Sequence, residues 1–233
     1  MSPATRICLL PGLICSDYVW SSQVRDLESY GVLVVPGYGP AASITAMAES
    51  VLDIMPERVA LAGHSMGARV ALEIFRMAPE RIERIALLDT GVHPRQPGER
   101  AKRMRLLETG KRHGMQALVD EWLPPMVHPR RRQDDEFMAP LRQMAVDAGI
   151  EQFERQIRAL LARPNATSLL SQINCPALVA VGRQDEWSPV EQHEAIAAAI
   201  PDADLVVFED AGHMAPLETP DEVSKALINW LEK

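Results

Sequence analysis

Ser65 stands in Gly63-His64-Ser65-Met66-Gly67, with a glycine two residues to either side. A serine hydroxyl is a poor nucleophile at neutral pH. It needs a base to take its proton, and that base needs an acid to orient it and stabilise its charged form. Both types follow downstream in short glycine-bearing segments: Asp185 in Gly182-Arg183-Gln184-Asp185, and His213 in Ala211-Gly212-His213. Such a set attacks a carbonyl carbon and drives negative charge onto the carbonyl oxygen, so two backbone N–H groups must be aimed at that oxygen. The Met66 amide, directly after the serine, is one candidate. The Leu13 amide, in Pro11-Gly12-Leu13, is the other. Asp89 is a rival for the acid. His64 neighbours the serine, but at a sharp turn it points away and is assigned to packing. His93, His113, His128 and His193 are expected at the surface.

The chain must bring these distant segments together. Short apolar, β-branched runs at residues 6–10, 32–35, 59–62, 85–88, 177–181 and 205–208 read as strands. Their near-continuous hydrophobicity suits strands buried on both faces of a parallel sheet. Between them, apolar residues recur at helical spacing: Trp20, Val24 and Leu27; Ile44, Met47, Val51 and Met55; Val70, Ile74 and Met77. Ser188-Pro189-Val190-Glu191 and Thr219-Pro220-Asp221-Glu222 read as capping boxes with proline at the first helical position. Alternating strands and helices predict the α/β class with a mostly parallel, doubly wound sheet. Ser65, Asp89, Asp185 and His213 all follow the carboxyl ends of strands, where open α/β sheets gather their sites. The strand–GxSxG–helix context is that of a nucleophile elbow.

The alternation stops over residues 93–168, where amphipathic helical patterns occur without a convincing strand and Pro124, Pro125 and Pro129 interrupt them. This stretch is expected to be an all-helical cap inserted into a sheet domain made of residues 1–92 and 169–233. It carries 14 Lys+Arg against 10 Asp+Glu, whereas the rest carries 10 against 22. A basic lid over an acidic body would favour entry of an anionic substrate. The same arginines would equally serve as exposed helix faces. Trp122, Leu123, Met126 and Met138 are candidates for an adaptable apolar pocket, a role that competes with plain core packing.

Composition removes several classes. With 47% hydrophobic and 24% charged residues the chain is expected to fold. A net charge of −8 speaks against nucleic acid or an anionic membrane surface as partner. Cys8, Cys15 and Cys175 form no metal-type spacing and read as free thiols of a reducing, cytoplasmic setting. The early apolar run is broken by Pro11-Gly12 and lacks the pattern of a signal peptide.

LLPGLICSDYVW (9–20), GHSMGAR (63–69), GRQDEWSP (182–189) and GHMAPLETP (212–220) together resemble the α/β-hydrolase superfamily over almost the whole chain, in particular its small carboxylesterase and lactonase-like members with a helical cap. The resemblance implies Ser65 as nucleophile, Asp185 as acid, His213 as base, and Leu13 and Met66 at the oxyanion positions. It implies cleavage of a small-molecule carboxylic ester through an acyl-enzyme, with no cofactor or metal. Carbon–carbon bond or enol-lactone cleavage by the same residues, and a slow-turnover ligand receptor, are the alternatives. Two departures stand out. Many members have His-Gly where this chain has Pro11-Gly12, and serine at 65 separates it from branches with an aspartate nucleophile.

Overall fold

The computed structural model describes residues 6–233. Six strands form one parallel sheet: β1 (Ile7–Leu10), β2 (Val32–Val34), β3 (Val59–His64), β4 (Ile82–Leu88), β5 (Ala177–Gly182) and β6 (Asp204–Phe208), in the order β2-β1-β3-β4-β5-β6. β1, β3 and β5 are buried along their whole length, as their unbroken apolar sequences require. β4 starts three residues before its apolar run. Glu83 and Arg84 interrupt the hydrophobic pattern, but the ladder to β3 continues through the Ala60–Arg84 pair. Leu10 pairs with Gly63, His64 with Leu88, and Gly182 with Phe208, so the carboxyl ends of the strands open onto one edge.

Eight α-helices connect and cover the sheet: α1 (Ser21–Asp26), α2 (Ile44–Leu52), α3 (Met66–Met77), α4 (Glu99–Trp122), α5 (Asp135–Leu161), α6 (Val190–Ala199), α7 (Ala215–Glu218) and α8 (Pro220–Leu231). From β1 the chain turns to β2 on one side; from β3 it turns to β4 on the other. Right-handed crossovers therefore put α1 and α3 on opposite faces. The loops after β1 and β3 diverge, which leaves a crevice at the switch point between them. α1 packs beside α8, and α2 beside α3.

Between β4 and β5 the chain forms helices joined by loops, with no strand. α4 and α5 pack along each other, each broken at a glycine with positive φ, Gly114 and Gly149. The prolines fall in short 3₁₀ turns, Pro124–Met126 and Pro129–Arg131. Among the described residues no helix is long and apolar enough to cross a membrane.

Two local expectations fail. Neither capping box forms. α6 begins after Pro189 without a side-chain cap, and the Ser188 amide is already taken by Asp185 Oδ1. Thr219 turns its hydroxyl back to donate to the Ala215 carbonyl, so Pro220 alone marks the start of α8. In α1, Val24 is exposed and Gln23 is the fully buried residue. The Gln23 amide donates to the Pro216 and Pro220 carbonyls, a polar tie to the last two helices that hydrophobic spacing does not reveal.

Candidate active site

β3 ends at His64 and α3 begins at Met66, so Ser65 alone makes the turn. Its backbone lies at φ 55, ψ −115, a region costly for a residue with a side chain. The turn is this tight because β3 and α3 are pressed against their surroundings. A Cβ on Gly63 would come within 2.4 Å of the Ala68 nitrogen, and one on Gly67 within 2.2 Å of the Leu10 carbonyl oxygen. Both glycines are fixed by close backbone approach, and the Ser65 hydroxyl is held at the strand's end. The Ser65 amide donates to the Leu88 carbonyl, and the Thr90 hydroxyl donates to the Ser65 carbonyl, which pins the strained turn to β4 and its following loop.

Ser65 Oγ lies 2.7 Å from His213 Nε2, and His213 Nδ1 lies 2.7 Å from Asp185 Oδ2. The other carboxylate oxygen, Asp185 Oδ1, accepts from the Trp187 and Ser188 amides at 2.8 Å each. Burial works to raise the Asp185 pKa. The His213 charge and hydrogen bond, with the two amides, outweigh it and hold the carboxyl below its ordinary value. An ionised Asp185 keeps the proton of neutral His213 on Nδ1 and leaves Nε2 free to accept from Ser65. Asp89 sits elsewhere. Its Oδ1 accepts from the Gly182 amide, and its Oδ2 approaches only His64 Nε2, at 4.0 Å. Burial, then the charge of Asp185, push its pKa well up. Of two neighbouring carboxyls, the one hydrogen-bonded to His213 is held toward its ionised form, and the other is pushed toward its protonated form.

The Leu13 and Met66 amides have no acceptor among the described residues, and both residues line a cavity of about 340 Å³ that also exposes Ser65 and His213. Trp122 and Met126 line it as well. Leu123 and Met138, grouped with them on sequence, are instead fully buried in the core, because α4 and α5 turn those positions toward the interior. His64 is buried. Its Nε2 donates to the His213 carbonyl, and burial pushes its pKa down to about 3. His193 is not at the surface. It is buried, accepts from the Thr90 amide and donates to the Pro189 carbonyl. His93 lines the cavity. Cys15 also reaches the cavity, but burial pushes its thiol up to about 12, so it stays protonated. Among the described residues no group of three or more His, Cys, Asp and Glu side chains is placed to hold a metal ion.

Sequence reasoning did not single out Arg69, Glu99, Arg103 and Arg163, which line the same cavity. One signal was present: Arg69 is a lone charge one turn into an otherwise apolar helix start, Met66-Gly67-Ala68-Arg69-Val70-Ala71-Leu72.

The sequence profile of the alpha/beta hydrolase family matches residues 9–226. A putative carbamate hydrolase RutD from Pseudomonas savastanoi pv. phaseolicola is 28% identical, covering 98% of this chain and 94% of that protein. A 2-hydroxy-6-oxononadienedioate/2-hydroxy-6-oxononatrienedioate hydrolase from Paraburkholderia phymatum is 27% identical over 91% of this chain and 82% of its own length. Among solved structures, a thermophilic esterase from Thermogutta terrifontis, with malate bound, superposes with a TM-score of 0.87 at 30% identity, covering 98% of this chain and 89% of that one.

Proposed function

The chain belongs to the alpha/beta hydrolase family, and from that premise we propose that it is a serine hydrolase of small-molecule carboxylic esters. The observation that carries the proposal is the unbroken relay from Ser65 through His213 to Asp185, opening into a cavity beside two unpaired amides. In this mechanism His213 Nε2 takes the hydroxyl proton as Ser65 Oγ bonds to the ester carbon. Asp185 stabilises the imidazolium through Nδ1. The Leu13 and Met66 amides receive the oxyanion. Collapse of the tetrahedral intermediate breaks the bond to the alcohol, which leaves with the proton from His213. Water, deprotonated by His213, then releases the acid from Ser65. The helical segment between β4 and β5 acts as a cap that closes this cavity, with Trp122 and Met126 as its apolar wall.

A second reading keeps the same residues and changes the bond. Relatives named for a carbamate and for an oxo-dienedioate substrate support cleavage next to other carbonyl types. A panel of p-nitrophenyl esters, lactones, carbamates and vinylogous diketones, run with wild type and Ser65→Ala, separates the two. Ser65→Ala is expected to lower kcat on the preferred ester by about 10⁴-fold or more. Ester turnover kept within a few-fold in Ser65→Ala would remove the proposal. Turnover confined to the diketones would replace it with the second reading.

A further inference from the structure

One wall of the cavity is cationic. Arg69, Lys102, Arg103 and Arg163 line it, with Glu99 as the acid between them. The pairing within this group is uneven. Arg163, only 2% exposed, is fully engaged: Nη1 donates to Glu99 Oε1 (2.7 Å) and the Leu160 carbonyl (2.7 Å), Nη2 to Glu99 Oε2 (2.8 Å) and the Pro94 carbonyl (3.2 Å), and Nε to the His93 carbonyl (3.1 Å). Arg103 Nε donates to the same Glu99 (2.8 Å), and its guanidinium lies 5.7 Å from the centre of the Trp187 ring. Burial works to raise the Glu99 pKa, but Arg163, the Gln96 amide and Arg103 bring it down to about 2, so it is a full negative charge. That single charge is shared by two guanidiniums. Two other acids line the cavity, and neither pairs with these arginines: Glu186 is turned outward to Arg132 at 3.0 Å, and Asp89 accepts from the Gly182 amide.

Arg69 has no such partner. Among the described residues it makes one hydrogen bond, Nη1 to the His93 carbonyl at 3.2 Å, and no ion pair. Burial, then the nearby charge of Arg163, push its pKa down to about 9, which leaves it protonated at neutral pH. The charge of Glu99 is felt at Arg69 but is already in contact with Arg103 and Arg163, and a half-buried cation without an ion pair of its own costs stability. A residue kept for the fold alone would be paired as Arg163 is. The position is also telling. Arg69 lies in the first turn of α3, four residues beyond Ser65. Its planar fork retains donors suited to two parallel hydrogen bonds with a carboxylate.

We infer that Arg69, flanked by Arg103 and Lys102, is the binding site for a free carboxylate on the substrate, a few bonds from the carbonyl that Ser65 attacks. The preferred substrates are therefore hemiesters or related compounds that carry one carboxylate and one scissile carbonyl. This assignment rests on the hydrolase proposed above and deepens it.

The test uses matched pairs: monomethyl glutarate against dimethyl glutarate, with the carboxylate on the acyl side, and acetoxyacetate against methyl acetoxyacetate, with it on the alcohol side. Wild type is expected to prefer the anionic member of at least one pair by about tenfold or more in kcat/KM. In Arg69→Gln that ratio should fall at least tenfold, mainly through KM, and Arg69→Lys should recover part of it. Arg103→Gln serves as a second variant should Arg69→Gln fold poorly, and is expected to lower the same ratio. Calorimetry with glutarate is independent of turnover: Ser65→Ala should bind it, and Ser65→Ala/Arg69→Gln should bind it at least tenfold more weakly. Glutarate binding that depends on Arg69 without turnover of any ester sustains the anion site and removes the hydrolase proposal. Equal kcat/KM within both pairs, or glutarate binding indifferent to Arg69, overturns the inference. Inorganic phosphate binding more tightly than glutarate would overturn the choice of carboxylate.

Discussion

Two buried carboxyls, Asp89 and Asp185, follow adjacent strands, and their different partners divide the roles. Asp185 touches His213 and two amides, which hold its pKa down; Asp89 touches the Gly182 amide, and burial with the charge of Asp185 pushes its pKa well up. Asp185→Asn is therefore expected to lower kcat on an ester by about 10⁴-fold, since asparagine neither stabilises the imidazolium nor enforces the tautomer. Asp89→Asn should stay within about fivefold of wild type, because an amide mimics a protonated carboxyl and tolerates the φ of 49 at this position. Kinetics on one ester decide; equal losses would unseat the assignment. The same pair makes a pH prediction. A raised folded-state pKa means that Asp89 supports the fold below its unfolded pKa and loses that support as pH rises toward its folded value. Asp89→Asn lacks this loss, so denaturation at pH 5 and pH 8 should find its stability relative to wild type improving with pH. The sequence made Ser65, Asp185 and His213 legible because each sits in a short segment with its own strand and glycine. It left Asp89 open because geometry across strands, not local pattern, decides which carboxyl meets His213. It misplaced His193 because its partners, the Thr90 amide and the Pro189 carbonyl, are backbone groups without a sequence signature.

Continuous apolar runs mark the strands to within a few residues; burial along the whole length of β1, β3 and β5 leaves little choice of residue there, while the edge strands β2 and β6 keep apolar runs though only partly buried. Helix ends were read less well, because tertiary partners replaced the local caps at Ser188 and Thr219. Tertiary partners also account for α7, a four-residue helix with no periodic signal. Its last residue, Glu218, is buried, and its carboxylate accepts from the Gly212 amide (2.8 Å), the Met214 amide (3.3 Å) and the His128 amide (2.6 Å). One side chain thus ties the loop holding His213 to the helical segment between β4 and β5. Glu218→Ala leaves these buried donors without an acceptor, at about 1–3 kcal/mol. For a chain of this size, at about 2–4 °C per kcal/mol, that is a fall in Tm of roughly 2–12 °C. The kcat on any ester should fall with it, as His213 loses its fixed position. A Tm within about 1 °C of wild type would mean that water replaces the carboxylate and that the tie carries no load.

At the scale of the whole molecule, charge divides between residues 93–168, which carry 14 Lys+Arg against 10 Asp+Glu, and the acidic remainder, and the pairing pattern decides what that division does. Several arginines of the segment are spent on its own surface, among them Arg105 on Glu121, Arg158 on Glu154, and Arg142 on Asp120 and Asp135. Two more reach residues after β5, Arg130 to Asp210 and Arg132 to Glu186. Exposed pairs of this kind contribute little, about 0–1 kcal/mol each. The net charge of −8 would repel an anionic substrate at long range, while the cavity cations would attract it at contact. Ionic strength separates the two. The Debye length shrinks from about 10 Å at 0.1 M salt to about 3 Å at 1 M, so added salt weakens both the repulsion by surface acids and the attraction by the cations at the cavity mouth, with opposite effects on the rate. If attraction inside the cavity governs capture, kcat/KM for the preferred hemiester should fall several-fold between 50 and 500 mM NaCl, while its neutral diester changes less than about twofold. If the repulsive body governs, the hemiester rate should instead rise with salt. The direction of that slope thus reports whether the basic character of the segment acts through its few inward-facing side chains or is only the solvated face of its helices.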